Sequence, residues 1–261
     1  MSNLTRIIVF LFIIISLQDC IQTSSQPDNN VKIRTRDGVI LSGKFVPPKI
    51  RKKFTFIMIH GLGSNKSEWI KFAEIISNKG YGYFIYDLRG HGESNRDTKN
   101  REIDYRYFIT PGPGSEWNLM VDDLSYVIKY LVHKNINKNR IGIIGASLGA
   151  NIALMYASRH KFIPVIILLS PGWNYAGLNI ESAVKEYSGR SIAIAVSPGD
   201  KYSYESSVSI HEILKRNNNK TEFFIGTGAN HGVQMFDGKF EYEIINWIEN
   251  QINGLENGKK I

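Results

Sequence analysis

The segment Gly145-Ala146-Ser147-Leu148-Gly149 is the part of this chain best suited to making a serine hydroxyl nucleophilic. It is a G-x-S-x-G core between an apolar run at 140–144, which reads as a strand, and residues 148–159, which read as a helix. A serine on such a turn needs small residues on both sides, so that the helix packs close while Oγ projects from the sheet edge. The bare pattern also fits an ordinary glycine-rich strand-to-helix turn, so its weight comes from where it stands. A hydroxyl at its ordinary pKa is a poor nucleophile and needs an adjacent base, usually histidine, held by a third group. Of the six histidines, His133, His160 and His211 fall in or at the ends of predicted helices and read as surface residues. His60 and His91 belong to glycine-flanked turns upstream of Ser147. His231, in Gly228-Ala229-Asn230-His231-Gly232, follows the last predicted strand and precedes the last helix, where a loop returns over the nucleophile. The acid should follow the strand predicted at 192–196, which runs into Ser197-Pro198-Gly199-Asp200-Lys201, so Asp200 is the candidate. Glu205 falls where the next helix has begun, and Asp237 lies beyond the histidine in another loop.

These three positions need a scaffold, and the hydropathy pattern supplies one. Positions 31, 33 and 35 and positions 39, 41, 43 and 45 alternate on either side of Asp37-Gly38, a strong hairpin signal. Residues 54–59 form a short, nearly continuous apolar run, as expected of a strand buried on both faces. Thereafter strands at 83–86, 140–144, 164–169, 192–196 and 222–225 alternate with helices at 67–78, 117–132, 148–159, 180–187, 204–216 and 240–251. Such alternation predicts an α/β, doubly wound, mostly parallel sheet with helices on both faces. Two connections are long, 95–115 and 171–179, and both follow strands at whose carboxyl ends ligands bind in such folds. The first carries Arg96, Lys99, Arg101, Tyr105, Arg106, Tyr107 and Phe108, and reads either as the wall of a substrate mouth or as a solvated loop with packed aromatics.

From about residue 31 to 251 the chain resembles the α/β-hydrolase superfamily, in its compact esterase, thioesterase and acylaminoacyl-peptidase-like form. The order Ser147, Asp200, His231 is the order of that family. Three further segments match: His60-Gly61-Leu62-Gly63 its oxyanion loop, Asp87-Leu88-Arg89-Gly90-His91-Gly92-Glu93-Ser94 its D-x-R-G-H-G-x-S turn, and Gly199-Asp200 its acid loop. The resemblance implies an eight-stranded sheet with an N-terminal hairpin, and an oxyanion hole made by the backbone N–H groups of Leu62 and Leu148. Preorganised donors of that kind contribute about 3 kcal/mol each. It assigns His60, Asp87, Arg89 and His91 to holding turns, and implies acyl transfer through an acyl-Ser147 intermediate with no cofactor and no metal. A carboxylic ester is the first expectation for the substrate, with peptide, acyl-peptide and thioester bonds as alternatives on the same residues. A rival of another class is a surface-exposed binding protein that kept the fold and lost catalysis, although no member of the triad is lost. Non-acyl, haloalkane-type chemistry usually needs a carboxylate where this chain has Ser147. A cap would be inserted between the strands at 164–169 and 192–196, an interval too short for a large cap domain, which predicts an open site walled by Leu62, the 95–115 loop and the segment around Trp173.

The composition, with 43% hydrophobic and 21% charged residues in 261, excludes a disordered or membrane-embedded chain. The net charge of +8 comes from lysines and arginines scattered among asparagine-rich loops rather than clustered on one element, so no nucleic-acid partner is expected. Residues 1–30 read as a charged start, an apolar run at 7–17 and a polar leader, which predicts an export signal, an uncleaved anchor or a buried first helix being the other readings. Cys20, the only cysteine, resembles the acylated cysteine of bacterial lipoproteins, with Leu17 three residues before it and Asp19 where a small residue is usual. Membrane attachment through Cys20 is one expectation, and a leader cleaved nearby is the other. The hydrolase domain is expected over 31–252, followed by a polar, frayed tail at 253–261.

Overall fold

The computed structural model describes residues 29–109, 111–217 and 219–257. Residues 1–28 of the expected leader, Cys20 among them, lie outside these ranges, as do residues 258–261. An antiparallel pair, β1 (Asn30–Arg34) and β2 (Ile40–Val46), opens the chain around the Asp37-Gly38 turn. There follow β3 (Thr55–Ile59), α1 (Ile70–Asn78), β4 (Gly82–Tyr86), α2 (Glu116–His133), β5 (Ile141–Ala146) and α3 (Leu148–Arg159). After β6 (Val165–Leu169) come a two-stranded hairpin, β7 (Asn174–Tyr175) and β8 (Leu178–Asn179), then α4 (Glu181–Glu186), β9 (Ser191–Val196), α5 (Lys201–Arg216), β10 (Lys220–Ile225) and α6 (Phe240–Asn257).

Eight strands form one sheet in the order β1-β2-β4-β3-β5-β6-β9-β10. β2 runs antiparallel to β4, and the strands from β4 to β10 are mutually parallel. Every residue of β3, β4, β5, β6 and β9 is buried, because helices cover both faces. Alternate side chains feed two cores. Ile57, Ile59, Ile143, Ile166 and Ile194 join α2 to α5, while Phe56, Met58, Ile144, Ile167 and Ala193 join α1 and α6. Among the described residues, 170–190 holds only the small hairpin and α4, so no large cap covers the carboxyl ends of the strands.

Several boundaries differ from the sequence expectation, among them the starts of α1, at Ile70 rather than 67, and of β10, at Lys220 rather than 222. Helix α5 begins at Lys201, directly after Asp200, rather than at 204. Helix α6 continues to Asn257, so the expected polar tail from 253 is helical over its first five residues. The cause is tertiary: Leu255 packs against the core beneath α6, and Glu256 pairs with Arg140 Nη1 at 2.7 Å.

Candidate active site

Ser147 stands between β5 and α3 with φ 54° and ψ −119°, a strained conformation for a residue with a side chain. The close strand-to-helix crossing explains the flanking glycines. A Cβ at Gly145 would lie 2.2 Å from the Gly149 carbonyl oxygen, and one at Gly149 would lie 2.2 Å from that of Ile59. The turn is held from the neighbouring strand by the Ser147 N–H donating to the Leu169 carbonyl at 2.8 Å.

Asp200 occupies the cap position of α5, yet its carboxylate makes no capping bond to that helix. Instead Oδ2 lies 2.6 Å from His231 Nδ1. The two loops are joined by backbone as well, since Gly199 N–H donates to the Gly228 carbonyl at 2.8 Å. The alternative acids are elsewhere: Glu205 is exposed on α5, and Asp237 caps α6 by accepting from the N–H groups of Lys239 and Phe240, each at 2.9 Å. Ser147 and His231 line one pocket with Gly61, Leu62, Glu68, Val233 and Gln234.

Of the two residues expected to supply anion donors, Leu62 lines the pocket and Leu148 directly follows Ser147. Leu148 is the first residue of α3, whose N-terminal N–H groups have no intrahelical acceptor, and the helix dipole favours negative charge there. Gly61 is close enough that a Cβ on it would lie 3.3 Å from that of Ser147, which puts the Leu62 turn beside Ser147. Among the described residues, neither the Leu62 nor the Leu148 N–H has a hydrogen-bond acceptor. His60 holds the turn from behind: Nδ1 donates to the Gly61 carbonyl at 2.7 Å, and Nε2 accepts from the Leu88 N–H at 2.9 Å. Burial pushes its pKa down to about 4, so the ring is neutral. Asp87 accepts from Lys66 Nζ at 2.7 Å and from the Glu93 N–H at 2.9 Å, and Arg89 reaches Asp123 and Asp37, so both hold turns as expected.

Four residues at the site were not singled out by sequence reasoning. Tyr175, on β7, lies edge-on to the His231 ring with centroids 6.3 Å apart, and its hydroxyl is 2.8 Å from Ser203 Oγ. Ser203 Oγ is in turn 3.5 Å from His231 Nδ1, a weak second partner for the imidazole. Burial raises the Tyr175 phenol pKa to about 12, which keeps it a neutral donor. Ser170, fully buried with φ 50°, accepts from the Gly232 N–H at 2.9 Å and so anchors the histidine loop. Glu68 faces the pocket from the turn at Lys66–Trp69. A lone tyrosine, serine or glutamate in a loop carries no signal in the sequence.

The described residues of the 95–115 loop do not line this pocket. The loop lines a neighbouring cavity beyond the Gly63 turn, where Tyr105 stacks on His91 with centroids 4.0 Å apart. Pro111 of this loop lies against Gly177 of the hairpin. Among the described residues no group of three or more His, Cys, Asp or Glu side chains is arranged to hold a metal ion, and no helix is long and apolar enough to cross a membrane.

A family model for the alpha/beta hydrolase fold matches residues 55–186. Similar curated proteins include the uncharacterized protein YqkD of Bacillus subtilis, 32% identical over 106 residues, covering 41% of this chain and 30% of the relative. Protein phosphatase methylesterase 1 of Debaryomyces hansenii is 25% identical over 188 residues, covering 67% of this chain and 43% of the relative. The chain thus spans less than half the length of these relatives. Among solved structures, the Pyrococcus furiosus esterase Pf2001 superposes with a TM-score of 0.66 at 21% identity, over 85% of this chain and 91% of that one.

Proposed function

Because the chain belongs to the α/β-hydrolase fold family, we propose that it is a serine hydrolase that cleaves carboxylic esters, with Ser147 as nucleophile, His231 as base and Asp200 as the group that orients the base. The observation that carries this reading is the 2.6 Å contact between Asp200 Oδ2 and His231 Nδ1 on the rim of the pocket that holds the strained Ser147 turn. Esterase names among the similar proteins support it.

In the proposed reaction Asp200 accepts a hydrogen bond from the protonated Nδ1 of His231, which leaves Nε2 free to take the Ser147 proton as Oγ attacks the ester carbonyl. The Leu62 and Leu148 N–H groups receive the charge that develops on the carbonyl oxygen. The intermediate then collapses, the C–O bond to the alcohol breaks, and the alcohol leaves with the proton held by His231. Water, activated by the same imidazole, releases the acid from acyl-Ser147. No residue in this scheme calls for a cofactor, and the partner is a small acyl substrate. The open strand ends favour short or medium acyl groups.

A fluorophosphonate probe should label Ser147, and Ser147→Ala should remove both labelling and turnover across panels of esters, thioesters and aminoacyl amides while leaving the circular dichroism spectrum unchanged. Undiminished hydrolysis by that variant sinks the assignment; a folded wild type that neither labels nor turns over any substrate makes the chain a binding protein. The further proposal that the protein is exported, and attached to a membrane through Cys20, is tested by uptake of labelled fatty acid, which Cys20→Ser should abolish.

A further inference from the structure

Glu68 is a carboxylate in the catalytic pocket that the acyl-transfer scheme does not use. Its Oε1 accepts from the Gly61 N–H at 3.2 Å, and its Oε2 accepts from the Ser64 hydroxyl. Each oxygen keeps capacity for another donor. Burial pushes its carboxyl pKa up, against the pull of these two hydrogen bonds and of nearby His231. Among the described residues no lysine or arginine makes an ion pair with it. Lys66, two residues away, is engaged by Asp87 at 2.7 Å and Glu93 at 3.0 Å. The pocket therefore contains a negative charge with hydrogen bonds but no permanent counter-charge.

A substrate placed for attack by Ser147 must occupy this same pocket, between the Leu62 turn and Val233-Gln234, and so displaces water from Glu68. An apolar group there leaves the carboxylate desolvated and unpaired, whereas a cationic one supplies the missing charge. We propose that Glu68 is a specificity-determining residue that selects substrates carrying a cationic nitrogen on the portion entering this pocket; the inference rests on the hydrolase reading above. It acts against neutral apolar groups as much as for cations. The net charge of +8 favours anions at long range, so a preference for cations has to arise locally.

The test compares kcat/KM for two near-isosteric ester pairs. On the acyl side these are 6-aminohexanoate against heptanoate, and on the alcohol side choline against 3,3-dimethylbutyl. In the wild type the cationic member of at least one pair should be preferred by roughly tenfold or more, and Glu68→Gln should bring that ratio toward one. Glu181→Gln, which removes an equal charge from exposed α4, should leave the ratio where it was. Ratios near one for both pairs in the wild type overturn the role of Glu68 without any variant having to fold. So does a ratio that survives Glu68→Gln. If no ester is hydrolysed and the fluorophosphonate does not label the protein, the hydrolase reading fails and this inference falls with it.

Discussion

Acid should first loosen this protein at His60. The ring is fully buried, and its two hydrogen bonds fix the neutral tautomer with the proton on Nδ1. A second proton on Nε2 would turn the acceptor of the Leu88 N–H into a donor facing a donor. Burial is the main reason that the pKa falls from 6.5 to about 4, with the Gly61 carbonyl pulling the other way. Since the folded value lies below the unfolded one, the unfolded chain takes up the proton first as pH falls. The stabilisation is complete above about 6.5 and is lost on the way down to about 4. A difference of about 2.5, at about 1.4 kcal/mol each, makes this loss on the order of 3 kcal/mol, against a typical total of roughly 5 to 15. Urea unfolding of the wild type and His60→Gln at steps from pH 8 to pH 4 isolates it. Burial pushes the pKa of His91 down with the same sign, and those of Glu68 and Asp123 up with the opposite sign. Glu68 and Asp123 act in both proteins and cancel in the difference, whereas His91, whose ring lies 5.1 Å from that of His60 and helps to lower its pKa, is removed as a variable by measuring both proteins in a His91→Gln background. The variant should be the less stable protein at pH 8, and the gap should narrow by about 3 kcal/mol by pH 4. Two curves that stay parallel would refute the reasoning.

Asp200→Asn should lower kcat by about ten-thousand-fold with the fold intact, because an amide facing Nδ1 favours the wrong imidazole tautomer and Ser203 Oγ, at 3.5 Å, is a weak substitute. Steady-state kinetics beside Glu205→Gln check it, and the reverse order of damage would move the acid. Gly149→Ala sets a Cβ 2.2 Å and 2.7 Å from two backbone carbonyl oxygens, of Ile59 and His60, neither of which can rotate away. Probe labelling should fall at least about a hundredfold and Tm should drop, whereas an unaltered variant would mean that the β5–α3 crossing has room for a methyl group. Asp123→Ala should cost about 3 to 5 kcal/mol in urea unfolding, since it leaves Arg89, 2% exposed, with only the half-exposed Asp37. Asp37→Asn should cost clearly less.

What the sequence could and could not announce follows from how far each feature depends on its own segment. β3, β5, β6 and β9 were legible because both their faces are covered, which forces unbroken apolar runs. Gly145 and Gly149 were legible because a close backbone crossing excludes every side chain, whatever lies elsewhere. The start of α5 is three residues earlier than expected although Asp200 is itself a favoured cap residue: its carboxylate is turned to His231 and makes no capping bond, so residue type and geometry disagree at that position. Tyr175 was invisible for a stronger reason. Two-residue strands are too short to show a period, and their position depends on Tyr202, whose hydroxyl accepts from the Asn174 N–H at 3.0 Å, and on Pro111 beneath Gly177. Glu68 has a neighbour of opposite charge at Lys66 and by sequence resembles any solvated turn. Only the folded chain shows that the lysine is engaged by Asp87 and Glu93 while the glutamate faces the pocket. The proposed nucleophile and base sit at strand ends, where periodicity and glycine constrain them. The residues proposed to meet the rest of a substrate come from β7 and the turn before α1, where no local rule acts, so a reaction class can be proposed from this sequence far more readily than a substrate.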